Sequence, residues 1–351
     1  MAVTAFRLAM ILAITLEIWA APAAARPAAS MDSILARWDS DENPGLRGVV
    51  VLRDGERVAE RYYNGATLDE LNDVRSAGKS VTALLVGIAK DRGAIRSMDD
   101  PVSRYWRGAA QAAIGPVPLR DVLTMRTGLA AFDDDPASPG NEDLMDASAD
   151  PRVLVLGVPR VDPPGARYVY NSLAAYVAGV VVAEATGAKM GDFAGRNLFA
   201  PLGITRWRWA EDAAGVTKGQ GNLWLTTRGL AAIGEMTRSG GRFGGRRVVS
   251  ASWIKDMLTP KVGISAEDPY ADSYGYYWYR KTYRFSGRAI DVSFASGNGG
   301  NKIYVVPACR LVVAITSSAY GRGYGQRRSE AILKEVLAAE ADAAQCGGRV
   351  D

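Results

Sequence analysis

The sequence predicts a mixed α/β fold of the α+β type, with a sheet built from both ends of the chain and a mainly helical region inserted at about residues 75–260. Three observations carry that expectation. Strand-like segments lie near both termini, the middle holds long apolar helix patterns, and glycine or proline marks the boundaries between them. A hydrophobic content of 48% against 23% charged residues supplies a substantial core, by length one large domain or two small ones.

In chain order, residues 1–25 read as a secretory signal. Arg7 gives a short positive start, Leu8 to Ala21 are mostly apolar, and Ala23-Ala24-Ala25 is a small-residue cleavage site before Arg26. The apolar run is shorter than the roughly 20 residues of a membrane span and Glu17 interrupts it, so no stable membrane anchor is expected. The expected product is one domain, residues 26–351, exported to the periplasm or secreted. Met31 to Trp38 follow as a helix. Two strands, Arg47 to Leu52 and Arg57 to Tyr63, are joined by the hairpin turn Asp54-Gly55.

The inserted region is punctuated clearly. Ser80 to Ala89 is apolar on most sides, which predicts a buried helix ending at Gly93. Pro163-Pro164-Gly165 breaks the chain ahead of Tyr168 to Ser172, and a second apolar helix runs from Leu173 to Ala185, ending at Gly187. Beyond it, Tyr276 to Tyr283, Ala289 to Phe294, Lys302 to Val306 and Leu311 to Thr316 are aromatic or β-branched and read as strands. Ser329 to Ala339 closes the chain as a helix with Ile332, Leu333, Val336 and Leu337 on one face. Cys309 and Cys346 are an even pair; in an exported chain they read as a disulfide clamping the tail to the sheet, the alternative being two free thiols.

Composition narrows the chemistry. The chain has no histidine, which excludes serine activation by imidazole, HExxH zinc sites and any imidazole ligand. The net charge of +4 is scattered, with Arg206-Trp207-Arg208 and Arg242 to Arg247 densest, so no nucleic-acid partner is expected. Ser76-Ala77-Gly78-Lys79 opens the first buried helix and puts a serine and a lysine one turn apart on one face. The serine would sit at the positive helix end, and burial would lower the lysine amine from its free value of ~10.4 towards that of a base. The plainer alternative is a capping serine and a snorkelling lysine. A second copy, Ser252-Trp253-Ile254-Lys255, reads only as a capped amphipathic helix.

Tyr170, in the loop before the second apolar helix, would relay a proton between nucleophile and leaving group, with Ser172 donating to Lys79 or to substrate. Ala295-Ser296-Gly297-Asn298-Gly299-Gly300-Asn301 precedes a strand. Its small residues allow close approach, and the Asn298 amide, with that of Ser76, would form an oxyanion hole. A glycine-rich hairpin explains the same residues with no function.

In this order and spacing the chain resembles the serine β-lactamase-like superfamily, which includes penicillin-binding proteins, class C β-lactamases, β-lactamase-fold esterases and 6-aminohexanoate-dimer hydrolases. The segment Leu119-Arg120-Asp121-Val122-Leu123-Thr124-Met125-Arg126-Thr127-Gly128-Leu129 looks like the family's LRDLLTMTSGL, and the likeness continues through Asn222 to Leu230 and on to Val306-Pro307. The resemblance implies a β-lactamase/transpeptidase-like fold, a mainly antiparallel sheet flanked by helices, and an acyl-enzyme on Ser76 with no metal or cofactor. Lys79 and Tyr170 would share the proton transfers, and Ser172, Ser296, Gly297 and Asn298 would face oxyanion or substrate.

Two departures narrow the substrate. Ser172 stands where true β-lactamases carry asparagine, a pattern closer to the esterase and dimer-hydrolase branch. Ala295-Ser296-Gly297 stands where lysine or histidine, threonine and glycine are usual, so the customary cation is missing and a substrate carboxylate loses a contact of ~1.5–3 kcal/mol. The expectation is an exported serine hydrolase acting on a small ester or amide. A true β-lactamase, a D-amino-acid peptidase or a non-hydrolytic penicillin-binding-like sensor are the alternatives.

Overall fold

The computed structural model describes residues 30–285, 287–342, 346–347 and 349–350. The expected signal, residues 1–25, and the mature start at Arg26 lie outside the described residues. Strands β1 (Leu46–Arg53) and β2 (Glu56–Tyr62) form the expected hairpin, with Asp54 and Gly55 both at positive φ, 51° and 84°. That left-handed pair is what a two-residue turn between twisted strands requires. The C-terminal part supplies β3 (Val262–Gly263), β4 (Ser273–Tyr274), β5 (Tyr279–Phe285), β6 (Arg288–Gly297), β7 (Asn301–Val306), β8 (Leu311–Ser317) and β9 (Arg349–Val350).

These strands make one sheet in the order β2-β1-β8-β7-β6-β5-β4-β3, with β9 beside β6 and every pairing antiparallel. The two chain ends meet where Val50 of β1 lies opposite Ala314 of β8. All of β7 and β8 is buried, because helices cover both faces. Helix α5 (Thr227–Arg238) packs on β1, β7 and β8, approaching most closely at Gly234, where an added Cβ would lie 2.5 Å from Val312 and 2.8 Å from Ile303. Helices α1 (Met31–Ala36) and α7 (Gly323–Asp342) pack against each other; α7 reaches β5, β7 and β8, while α1 lies on β2. The inserted region is built on α2 (Ala77–Asp91) against α4 (Ser172–Thr186), with α3 (Glu142–Ala147) and α6 (Ala251–Leu258) at its margins. Among the described residues no single helix is long and apolar enough to cross a membrane.

Three expectations shift. The aromatic run at Tyr276 enters the sheet only at Tyr279, because Tyr277 is left-handed (φ 55°) and its amide and hydroxyl donate to Leu123 and Val122 carbonyls in the inserted region. The cap of α6 is Ser250, whose Oγ accepts from the Trp253 amide at 3.2 Å; Ser252 merely donates to Ser250. The closing helix begins earlier, at Gly323. Cys309 and Cys346 are bonded, and the tail is held further by Gly347 N–H on the Ala308 carbonyl and Arg288 on that of Cys346.

Candidate active site

Ser76 is delivered by a strained turn. Arg75 sits at φ 52°, a left-handed position costly for a non-glycine residue. It is held there by its N–H on Asp73 Oδ1 at 2.9 Å and by its guanidinium stacked 4.3 Å from the Tyr320 ring. Ser76 follows as the residue that opens α2, in helical geometry, and its side chain makes no capping hydrogen bond. The hydroxyl is therefore not consumed by capping, which removes the plainer reading of this serine.

Gly297, at the end of β6, is pressed against the same turn. A Cβ there would lie 2.0 Å from the Val74 carbonyl oxygen and 3.1 Å from the Ala77 nitrogen, so only glycine lets the strand end meet the helix start. This contact sets Ser296, Gly297 and Asn298 along one wall of a cleft of about 450 Å³, with Ser76, Asp133, Glu142, Tyr170 and Tyr279 around it. A second cleft of about 630 Å³ adjoins it, sharing Asp133, Asp134, Tyr170 and Tyr279 and adding Tyr168, Arg167, Glu267 and Asp268.

Lys79 is 1% exposed and places all three ammonium protons: on the Gln220 carbonyl at 2.8 Å, Ser76 Oγ at 3.0 Å and Ser172 Oγ at 3.2 Å. The Tyr170 ring lies 5.1 Å from Nζ. Burial pushes this amine down, as the sequence suggests, but Tyr170, Glu142 and Asp133 more than offset it and the net shift is upward. The expected neutral lysine is thus corrected to an ammonium at rest. The sequence missed the two carboxylates, Glu142 and Asp133, that add to the effect of Tyr170. The Asp133 to Asp135 run reads as a solvated loop, yet Asp133 Oδ2 accepts from the Ser172 N–H at 2.7 Å, and Oδ1 is buried without a hydrogen-bond partner among the described residues. Burial raises the Asp133 carboxyl above its ordinary value, and Lys79 opposes this only in part.

The remaining predicted residues fall into place around this centre. Ser172 is 1% exposed and lies beneath the cleft, engaged with Lys79 rather than open to substrate. Asn171 caps α4, its Oδ1 accepting from the Ala174 N–H at 2.8 Å. Asn298 is exposed, and its Oδ1 accepts from the Gly321 N–H at 2.8 Å. Ser296 Oγ accepts from Lys302 Nζ at 2.8 Å, so the cation absent from the Ala295-Ser296-Gly297 segment stands on the adjacent strand. Of the aromatics, Tyr168 and the unforeseen Tyr279 line the clefts, Tyr276 and Trp278 are core, and Trp224 lies under Arg208.

Comparison with known proteins agrees with this fold. The 6-aminohexanoate-dimer hydrolase of Paenarthrobacter ureafaciens is 28% identical over 221 residues, which is 60% of this chain and 56% of that protein, so the chain is matched over little more than half of that relative. Two solved structures superpose over most of both chains. A penicillin-binding protein homologue from Caulobacter crescentus has a TM-score of 0.70 at 20% identity, covering 88% of this chain and 96% of that one. A family VIII carboxylesterase has a TM-score of 0.67 at 18% identity, covering 86% and 95%. At such identities the likeness is one of fold. The profile of the Beta-lactamase family, however, matches residues 33–337, which take in every strand of the sheet but β9, both site helices and every residue of the Ser76 cleft, and the chain belongs to that family.

Proposed function

We propose that the protein is an exported serine hydrolase that cleaves small esters or amides through an acyl-enzyme on Ser76. The observation that carries this reading is the Lys79 ammonium, buried at the cleft base and bound at once to Ser76 Oγ and Ser172 Oγ, with the Tyr170 ring beside it. A charged lysine has no lone pair, so Tyr170 is the group that takes the Ser76 proton, and the ammonium stabilises the phenolate that does so. Ser76 Oγ then attacks the carbonyl carbon. The Ser76 and Asn298 amides hold the oxyanion, and Tyr170 returns its proton to the leaving group. Water repeats the sequence to release the acid.

The lining supports a neutral or cationic substrate. Asp133, Asp134, Asp135, Glu142, Glu267 and Asp268 face the two clefts against Arg167 and Arg322, an excess of negative charge that opposes an anionic ligand. Export is supported by the apolar leader pattern and by the Cys309–Cys346 bond, which persists in oxidising compartments. Relatives of this fold are named a carboxylesterase and a 6-aminohexanoate-dimer hydrolase, which supports ester or amide cleavage here. Incubation with 4-nitrophenyl butyrate tests the reading. Turnover that disappears in Ser76→Ala, with a butyryl adduct trapped on Ser76, is expected. An adduct that never turns over would make the chain a sensor, and nitrocefin hydrolysis faster than that of any ester would make it a β-lactamase.

A further inference from the structure

Strand β7 sets Lys302 directly opposite Ser296 of β6, and Lys302 Nζ donates to Ser296 Oγ at 2.8 Å. Lys302 is 2% exposed, its Nζ 4.9 Å from the Phe294 ring and 5.9 Å from those of Tyr270 and Tyr304. The charges facing it are Asp268 from the segment between β3 and β4, Glu330 from α7 and Lys281 from β5. Glu330 is already engaged by Lys281, Lys334 and the Tyr283 hydroxyl, each at 3.1 Å. Among the described residues no carboxylate lies within ion-pair distance of Lys302. Burial therefore dominates: it lowers the ammonium to about 7, with Asp268 and Glu330 opposing and Lys281 assisting.

The hydrogen-bond inventory then fixes what Ser296 shows to the cleft. An ammonium only donates, so beside it Ser296 Oγ accepts and its own proton is free to point at a ligand. A neutral amine offers a lone pair that accepts a hydrogen bond from the Ser296 hydroxyl, whose proton then points away and leaves only oxygen lone pairs facing the cleft. We propose that Lys302 is a positioning residue for substrate: acting through Ser296, it makes this cleft wall a hydrogen-bond donor while charged and an acceptor once neutral, and so favours substrates with an acceptor carbonyl near the scissile bond. The proposal rests on the hydrolase reading above and gives that site a pH-dependent specificity.

Two ester pairs test it. One places an acetamido carbonyl on the acyl side, 4-nitrophenyl N-acetylglycinate against 4-nitrophenyl valerate. The other places it on the alcohol side, 2-acetamidoethyl valerate against pentyl valerate. The readout is the preference, the ratio of kcat/KM within each pair, measured at pH 6 and pH 8. In the wild type the preference for the acetamido member of at least one pair should fall fivefold or more from pH 6 to pH 8. Lys302→Arg, charged at both pH values, should hold it level. Lys302→Met should lose it at pH 6, as should Ser296→Ala. If Lys302→Met fails to fold, the wild type, K302R and S296A decide the matter alone. Preferences in both pairs that ignore pH while turnover still requires Ser76 would overturn the role of Lys302 and leave the hydrolase standing. Absence of Ser76-dependent turnover of all four esters overturns the hydrolase reading itself.

Discussion

An ammonium with three protons on three oxygens is a poor base and a good electrostatic anchor, and that decides how residue 79 is to be tested. Lys79→Ala removes the group that, in the proposed mechanism, keeps Tyr170 in the form that takes the Ser76 proton. It should lower kcat by about 10²–10⁴-fold with KM nearly unchanged, as steady-state kinetics will show. Asp133 acts one step further out, because it is one of the anions that keep Lys79 charged. Asp133→Asn weakens that hold, so Lys79 loses its proton at lower pH, and the alkaline limb of the kcat/KM profile should move to lower pH. A limb that stays put, or moves upward, would argue against an ammonium as the working form. Lys302 makes a separate statement through stability. Its folded value of about 7 lies below the unfolded value of ~10.4, so across that window the unfolded chain holds more protons. Unfolding free energy should therefore rise with pH between about 7 and 10, by up to about 1.4 kcal/mol per unit from this group, and the cost of burying the ammonium is fully present below pH 7. Denaturant melts of Lys302→Met against wild type should show a difference that shrinks across the same window.

At the scale of elements, the site is a junction between the end of one strand and the start of one helix. Gly297 is the contact point, with the Val74 carbonyl where a Cβ would be. Gly297→Ala must push β6 away from α2 or bend one of them. An overpacking cost of about 1–3 kcal/mol is expected in the melting curve. The catalytic effect should be larger in proportion, about 10²-fold in kcat, since the proposed oxyanion donors at Ser76 and Asn298 would separate. The strained Arg75 turn works in the same direction: it orients Ser76 without using the serine hydroxyl as a cap. The Ser76–Lys79 pair was legible in the sequence because a three-residue spacing on a helix leaves one geometry. Asp133 was not, because a loop carboxylate has no period to betray which way the backbone carries it. Lys302 was not, because only the β6–β7 register makes it the neighbour of Ser296, six positions away.

The whole molecule is closed by its ends. β1 and β2 complete a sheet whose other strands come from the C-terminal part, and the Cys309–Cys346 bond ties the tail across a separation of 37 residues. A loop of that length stabilises by roughly 3–4 kcal/mol through the entropy it removes from the unfolded chain. The double variant Cys309→Ser/Cys346→Ser should lose about that much in chemical denaturation. Turnover per folded molecule should remain, because the bond closes the sheet beside α7 and touches none of the cleft residues. A parallel loss of kcat would mean that the tail supports the site.

Local pattern alone determined the sheet from both termini and the two buried helices, since periodicity is a property of neighbouring residues, while the serine, lysine and tyrosine were singled out by the order of their motifs and the family resemblance these carry. Protonation was a different matter. Whether Lys79 stays charged and Lys302 changes charge near neutral pH depends on which charged groups and aromatic rings the fold carries close to each amine. Electrostatic energy follows distance and burial rather than sequence order, so only the tertiary structure decided it.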